Sequence, residues 1–418
     1  MDRRSTSATE RPIFGLFFRH LEHGGIARVL TSLAHGFNRR GADVDLIVGS
    51  GGGPLRGMIP EGVNLGELDR SGGLIARCAV ALADPGGLPA LLRARWHTTE
   101  LPPTTWHVPA LARYLRRRRP TALLAASVHE NLDAVRARSL ALTRTRLVLS
   151  EHAVLSAHLG DRGGRRFARV MGQVRRLYPR ADKVVAVSLG VAEDLRAVGL
   201  PRSLLDVIHN PVWTEGFEER AAAPVADPWF APGAPPVVLG TGRLVEQKDF
   251  QTLVRAFALV RGRRRARLVV LGSALDDETT RARQHELHRL AARLGVADDV
   301  GLPGSVPDAL PYMARAAVFA LSSRYEGFGN VLVEALACGT PMVSTDCPSG
   351  PREILEGGAI GPLVPVGDAA ALGAAIASLI ERPPDPPLLA KRARAFSLEH
   401  GVERYLEVLQ ARSARSEA

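Results

Sequence analysis

Ser322-Ser323-Arg324-Tyr325-Glu326-Gly327-Phe328-Gly329-Asn330-Val331-Leu332-Val333-Glu334-Ala335-Leu336 decides how the rest of the chain is read. The apolar run Ala316–Leu321 precedes it and predicts a buried strand. Gly327 and Gly329 then free the backbone, and Asn330 is the predicted N-cap of a helix reaching Cys338. Strand, glycine turn and helix in that order aim free N–H groups and a positive dipole end at one spot. Such a spot favours a phosphate. Glu326 cannot serve the phosphate itself, because like charges repel. A carboxylate there is better used to accept hydrogen bonds from hydroxyls. Phosphate beside two hydroxyl-accepting carboxylates, Glu326 and Glu334, points to a sugar on one side and a ribose on the other.

Glu326 and Glu334 have seven residues between them, with Gly-Phe-Gly inside. This pattern resembles the Glu-x7-Glu motif of retaining GT-B glycosyltransferases, specifically glycosyltransferase family 4. The resemblance implies an α/β chain in the GT-B fold, two Rossmann-like doubly wound domains facing a cleft. An ordinary strand-turn-helix with solvated glutamates would show the same spacing, so the surrounding residues have to decide.

The chain has 418 residues and 46% apolar content, enough for two domains with a core each. Cys78, Cys338 and Cys347 are scattered and odd in number, which fits a reducing cytosol and no disulfide framework. No apolar run is long enough to predict a membrane span. Residues 1–12 are polar, carry no secretory h-region, and read as a frayed tail. Net charge is +11 and lopsided: residues 1–200 hold 30 basic against 17 acidic side chains, the remainder 24 against 26. A basic first half seeks phosphates, on nucleic acid or on an anionic membrane, unless it is an arginine-rich solvated surface.

Residues 13–220 read as the first domain. Ile13–Phe18 is its first strand, Gly24-Gly25 a turn, and Ile26, Val29, Leu30, Leu33, Ala34 and Phe37 keep helical spacing. Val44–Val48 is the next strand, so a doubly wound domain begins here. No Gly-x-Gly-x-x-Gly occurs, which disfavours a dinucleotide site. Gly24-Gly25 is similar to the family's N-terminal glycine loop, which approaches donor phosphates and acceptor. Residues 49–110 read as irregular insertions with no site. Strands at Thr121–Ala126 and Thr145–Ser150 follow. His152, just past the second, resembles the family's N-domain histidine, which the resemblance places beside the donor sugar. His129 and His158 match no motif. Arg162–Arg180 reads as a basic amphipathic helix, facing a bilayer, a pyrophosphate-linked lipid acceptor, or the core with a solvated arginine face. Lys183–Val187 is another strand, and Ser188-Leu189-Gly190 and Val207–Val212 look like the family's markers for the end of this domain.

Residues 221–236 are Ala/Pro-rich and read as a linker. Residues 237–385 read as the nucleotide-sugar domain. Val237–Lys248 is strand, then a glycine loop with Gly242, Arg243 and Lys248. Two cations on one loop call for a highly charged anion, and in the family they bind the donor diphosphate. Gly304–Asp308 resembles the loop that holds the nucleotide base through backbone groups, at Val306. Pro341–Ile354 looks like a family 4 subset that builds polysaccharides and lipid-linked oligosaccharides. Cys347 within it has no activating partner and reads as structural. Residues 386–418 read as a tail, with one helix from about Leu388 to Arg412 returning to the first domain.

The expected activity is retaining transfer of a hexose or N-acetylhexosamine from a nucleotide sugar, UDP-linked. The acceptor is a glycan or a lipid-linked glycan at the cytoplasmic face of an anionic membrane. The expected site is Glu326, His152, Arg243 and Lys248 for catalysis. Gly24, Gly25, Gly242, Val306, Gly327, Phe328, Gly329, Asn330 and Glu334 are the further donor contacts. No metal-ligand spacing is present, and the resemblance implies neither metal nor cofactor. A GT-B epimerase acting on a nucleotide sugar is the enzyme alternative. A nucleic-acid-binding protein is the alternative of another class, disfavoured by 5% aromatics and no binding motif.

Overall fold

A computed structural model of the chain describes residues 11–21, 24–87, 103–160, 164–272 and 278–411. It holds two parallel sheets. The first contains β1 (Ile13–His20), β2 (Asp43–Ser50), β3 (Val63–Glu67), β4 (Ala122–Ala126), β5 (Arg146–Glu151), β6 (Lys183–Ala186) and β7 (Leu205–Val207), in the order β3-β2-β1-β4-β5-β6-β7. The second contains β8 (Val237–Thr241), β9 (Arg267–Leu271), β10 (Val300–Gly304), β11 (Val318–Leu321), β12 (Met342–Thr345) and β13 (Leu363–Val364), in the order β10-β9-β8-β11-β12-β13. Both are doubly wound α/β layers, the two Rossmann-like halves of a GT-B fold.

Helices cover both faces of each sheet, so the central strands are buried throughout and read as apolar runs, with β8 closing on Gly240-Thr241. Each sheet reverses its strand order once, between β1 and β4 and between β8 and β11. Open α/β sheets bind ligands outside the carboxyl ends of strands at such a reversal. The glycine loop after β8 and the Glu326 turn after β11 therefore flank one crevice. Gly24-Gly25 follows β1 of the other sheet.

Four expectations change. Residues 49–110 include β3 and the helix Gly73–Ala83. β3 is a half-exposed edge strand, so no apolar run announces it. Asn330 is the first helical residue, and Gly329, at φ 99°, is the cap of helix Asn330–Ala337. Within residues 221–236, Phe230 is buried edge-on against Tyr312 and Trp229 packs on Gly301, which pins the segment to the second domain. The terminal helix is two helices, Pro386–Ala393 and Leu398–Gln410, split by a tight turn at Arg394–Phe396. Ser397 caps the second.

Helix Leu398–Gln410 lies on the first domain. Val402, Tyr405 and Val408 enter the core with Phe37 and Leu124. The Arg146 guanidinium donates to the Val408 carbonyl at 2.7 Å. Among the described residues no helix is long and apolar enough to cross a membrane.

Helix Gly164–Leu177 decides among the alternatives for the amphipathic segment, and it packs on the core. Val170, Met171, Val174 and Leu177 of its apolar face, with Tyr178 just beyond, are core residues of the first domain. Arg176 forms a two-pronged pair with Asp84, and Arg175 donates to the Val198 carbonyl. An apolar face already filled by core is not available to lipid. Arg162 and the side chains of Arg165 and Arg166 lie outside the described residues.

Candidate active site

A cleft of about 920 Å³ runs between the domains. Gly24, Gly25, Gly242, Arg243, Val306, Asn330 and Glu334 all line it. Residues spread over three hundred positions of sequence thus meet at one opening. They meet because both sheets turn their carboxyl ends toward each other.

Of the Glu326 turn only Asn330 lines the cleft; Glu326, Gly327, Phe328 and Gly329 do not, and neither do Lys248 and His152. Glu326 is 6% exposed, and its Oε1 accepts from Lys248 Nζ and from Ser323 Oγ, each at 2.6 Å. Lys248 and Arg243 leave the same glycine loop but part company. Arg243 is exposed on the cleft wall, and Lys248 is largely covered beside Glu326. Both bonds to Glu326 land on Oε1, so neither uses Oε2. Phe328 differs from the sequence reading. Its ring stacks on His209 at 5.2 Å and meets Phe396 edge-on, so the side chain belongs to the interdomain core.

His152 stands behind this turn. A Cβ on Gly327 would come within 1.9 Å of the His152 carbonyl oxygen, so only glycine lets the two domains touch here. The imidazole Nε2 is 3.0 Å from Ser150 Oγ, which in turn contacts the Tyr405 hydroxyl. Burial pushes the imidazole down to about 4, so the ring is neutral at pH 7. His129 and His158 join no part of this cleft lining.

Glu334 sits one helical turn beyond Asn330. Burial raises its carboxyl above the usual range, and Arg28 opposes that shift. Arg28 Nη1 reaches Glu334 Oε1 at 3.8 Å from the first domain's helix Gly25–Arg39. Among the described residues no cluster of three His, Cys, Asp or Glu is placed to hold a metal ion.

Two family models match. "Glycosyl transferases group 1" covers residues 235–382 and "Glycosyltransferase Family 4" covers residues 23–215, one per domain. The chain belongs to glycosyltransferase family 4. It is similar to the lipopolysaccharide core biosynthesis glycosyltransferase LpsE of Rhizobium meliloti, 32% identical over 56% of this chain and 66% of that one. It is also similar to an N-acetylgalactosaminyltransferase of Campylobacter jejuni named for a diphospho-undecaprenol acceptor, 33% identical over 46% and 48%. The matches span less than two thirds of the length of each of these relatives. Relatives named as GDP-mannose-dependent match as well. Among solved structures, Anabaena Alr3699/HepE in complex with UDP-glucose shares the fold with a TM-score of 0.73 at 20% identity, over 96% of this chain and 99% of that one.

Several residues of this family 4 chain at the cleft escaped the motif reading. Arg28 is three positions after Gly25, one helical turn, and that spacing was the available signal. Asn210 donates to Asn330 Oδ1 at 2.9 Å, which joins the His209-Asn210-Pro211 segment to the glycine turn. Thr241, 5% exposed, lines the cleft with a hydroxyl that has no protein partner. A single threonine at a strand end carries no sequence signal.

Proposed function

We propose that the chain transfers a hexose or N-acetylhexosamine, with retention at the anomeric carbon, from a UDP-linked sugar to a glycan or lipid-linked acceptor. The process it serves is cell-surface polysaccharide synthesis. The observation that carries the reading is the Lys248–Glu326 pair at the adjoining ends of β8 and β11, beside Arg243 and the cleft. A cation and a carboxylate held side by side suit a ligand that is anionic at one end and hydroxylated at the other.

In this reading the diphosphate lies over Gly242 and Gly25. Arg243 and Lys248 face charge that grows as the leaving group departs, so their stabilisation lowers the barrier as well as the dissociation constant. Glu326 Oε2 and the Gly327–Gly329 amides hold the sugar, and Glu334 accepts from the ribose. The bond from the anomeric carbon to the phosphate oxygen breaks. A bond to the acceptor oxygen forms on the same face, and the acceptor proton passes to the leaving diphosphate. Neutral His152 positions the sugar by hydrogen bonding. The reading assigns no metal and no cofactor. UDP is favoured by the likeness to a UDP-glucose-bound structure, and the relatives dependent on GDP-mannose make GDP the base to test against it.

The acceptor class is supported by relatives named for lipopolysaccharide core and diphospho-undecaprenol glycans. In this reading the chain acts on such acceptors at the cytoplasmic face of an anionic bilayer. Support comes from helix Gly73–Ala83, which exposes Leu74, Ile75 and Leu82. It ends beside Arg176 and Arg180, on the basic first domain.

A panel of nucleotide sugars tests the reading, scored by hydrolysis, transfer and thermal stabilisation. Hydrolysis or transfer with one UDP-sugar is expected. Isomerisation alone would favour the epimerase, and salt-sensitive RNA or DNA binding without donor turnover would favour the nucleic-acid alternative. Arg243→Ala should lower kcat/KM by about 10–100-fold, the worth of one charge-assisted contact, with the melting temperature little changed.

A further inference from the structure

The Gly327 carbonyl is the meeting point of the two domains. Ser188 Oγ, from the first domain, donates to it at 2.7 Å, and Ser349 Oγ, from the second, at 2.8 Å. The two hydroxyl oxygens also touch each other. A carbonyl has two lone pairs and can take both protons. Ser188 is fully buried, and its oxygen also accepts from Val191 N at the start of helix Leu189–Ala197.

Glu353 fastens the same junction from the other side. It belongs to the second domain, yet its carboxylate accepts from Leu189 N at 2.9 Å and Gly190 N at 3.2 Å of the first. His209 Nε2, also of the first domain, lies 3.0 Å away, and its ring stacks on Phe328. Burial works against the Glu353 charge, but these bonds outweigh it and hold the carboxyl below its usual range. A Cβ on Gly190 would meet Ser349 Cα at 2.7 Å, so the contact is close-packed. Ser349 itself stands at φ 72°, a left-handed conformation unusual for serine, which the surrounding contacts must hold.

These contacts converge on one peptide. The Phe328 N–H shares a planar trans peptide with the Gly327 carbonyl and points opposite to it, so this amide can face a ligand only while the carbonyl is turned the other way. That carbonyl points at hydroxyls, one of which the first domain supplies. We propose that Ser188 and Glu353 are positioning residues: they fix the Gly327 peptide through domain contact, so the sugar-binding face of the turn is complete only when the two domains meet. The inference rests on the donor reading above, and it makes donor-sugar recognition depend on Ser188 of the first domain and on Glu353, which grips first-domain backbone, neither of them a donor contact in that reading. The nucleotide half of the donor sits against Val306 and Glu334 of the second domain and does not need this junction.

Titration calorimetry with UDP-glucose and UDP, and in parallel with GDP-mannose and GDP, separates the two halves. Ser188→Ala and Glu353→Gln should each weaken sugar-nucleotide binding about tenfold, roughly one hydrogen bond, while free nucleotide binding stays within about twofold. Ser188→Thr keeps a hydroxyl and should restore the sugar nucleotide. In turnover, donor KM should rise with acceptor KM unchanged. Equal losses for nucleotide and sugar nucleotide would mean a merely structural role and overturn the proposal. So would unchanged binding in both variants, or failure of the Thr variant to recover while its melting temperature matches the parent. If the unmodified chain distinguishes no sugar nucleotide from its free nucleotide, the donor reading fails and the proposal with it.

Discussion

Lys248 and Glu326 illustrate how a residue's role depends on its neighbour. Each has an assignment in the donor reading, yet the two also pair with each other at 2.6 Å. Removing Glu326's charge releases Lys248 toward the diphosphate. Glu326→Gln should therefore leave UDP affinity unchanged or tighter and impair sugar-dependent turnover. Glu334→Gln should weaken UDP and UDP-sugar alike, because the ribose is common to both. Calorimetry on the two variants decides, and equal UDP losses would remove the division of labour. His152 and Glu151 form a second linked case. His152 is depressed to about 4, so the stability it contributes is complete above its unfolded value of about 6.5 and lost as pH falls toward 4. Glu151 is raised to about 7 by burial, so its contribution is present at low pH and lost as pH rises through 7. The slopes oppose one another between about pH 4.5 and 6.5. His152→Asn should unmask the Glu151 slope: stability then falls more steeply with rising pH in that window. The difference from the parent reaches at most about 3 kcal/mol, less because the ring is part-exposed. Denaturant midpoints at several pH values measure it, and parallel curves for parent and variant would contradict it.

At the scale of elements, the decisive contact is helix Leu398–Gln410 on helix Gly25–Arg39. It completes the first domain's core with residues from the far end of the chain. Gly36 permits the approach, since a Cβ there would come within 2.2 Å of Val402 Cγ2. Gly36→Ala should destabilise by about 1–3 kcal/mol through overpacking, although alanine is the better helix former. Pairing it with Val402→Ala should recover part of the loss, and urea unfolding of both variants reads the coupling. The periodicity of Gly25–Arg39 was plain in the sequence. The partner helix was legible as a helix, but its break at Arg394–Phe396 was not. Nothing in a local pattern marks where a chain must bend to cross between domains.

At the scale of the molecule, charge is uneven, and the basic half is the domain that bears the exposed Leu74, Ile75 and Leu82. Each Lys or Arg near an anionic surface contributes about 1 kcal/mol, so a few suffice for reversible attachment. Binding to vesicles containing phosphatidylglycerol should be measurable by sedimentation at low salt and should fade at about 0.5 M salt, where screening is short-ranged. Leu74→Ser with Leu82→Ser should weaken it further. No sedimentation of the parent chain at low salt would leave the arginines as a solvated face.

The local order of strand, glycine turn and helix around Glu326 and around Arg243 was determined by the sequence itself. Glycine freedom, apolar runs and cation spacing act over a few residues and leave their mark there. The same holds for the doubly wound class, which follows from the alternation of strands and helices. Other features belong to tertiary structure alone. Helix Gly164–Leu177 has an apolar stripe that suits a core as well as a lipid surface, and only packing chose the core. Phe328 sits in a ligand-binding turn, and only the nearness of His209 and Phe396 turned it inward. The joining of Ser188, Glu353 and Gly327 spans both domains, and it exists because two separately wound sheets present their carboxyl ends to one cleft. Sequence patterns report what each segment can bury or bind, and the partner is set by the long-range packing that brings segments together.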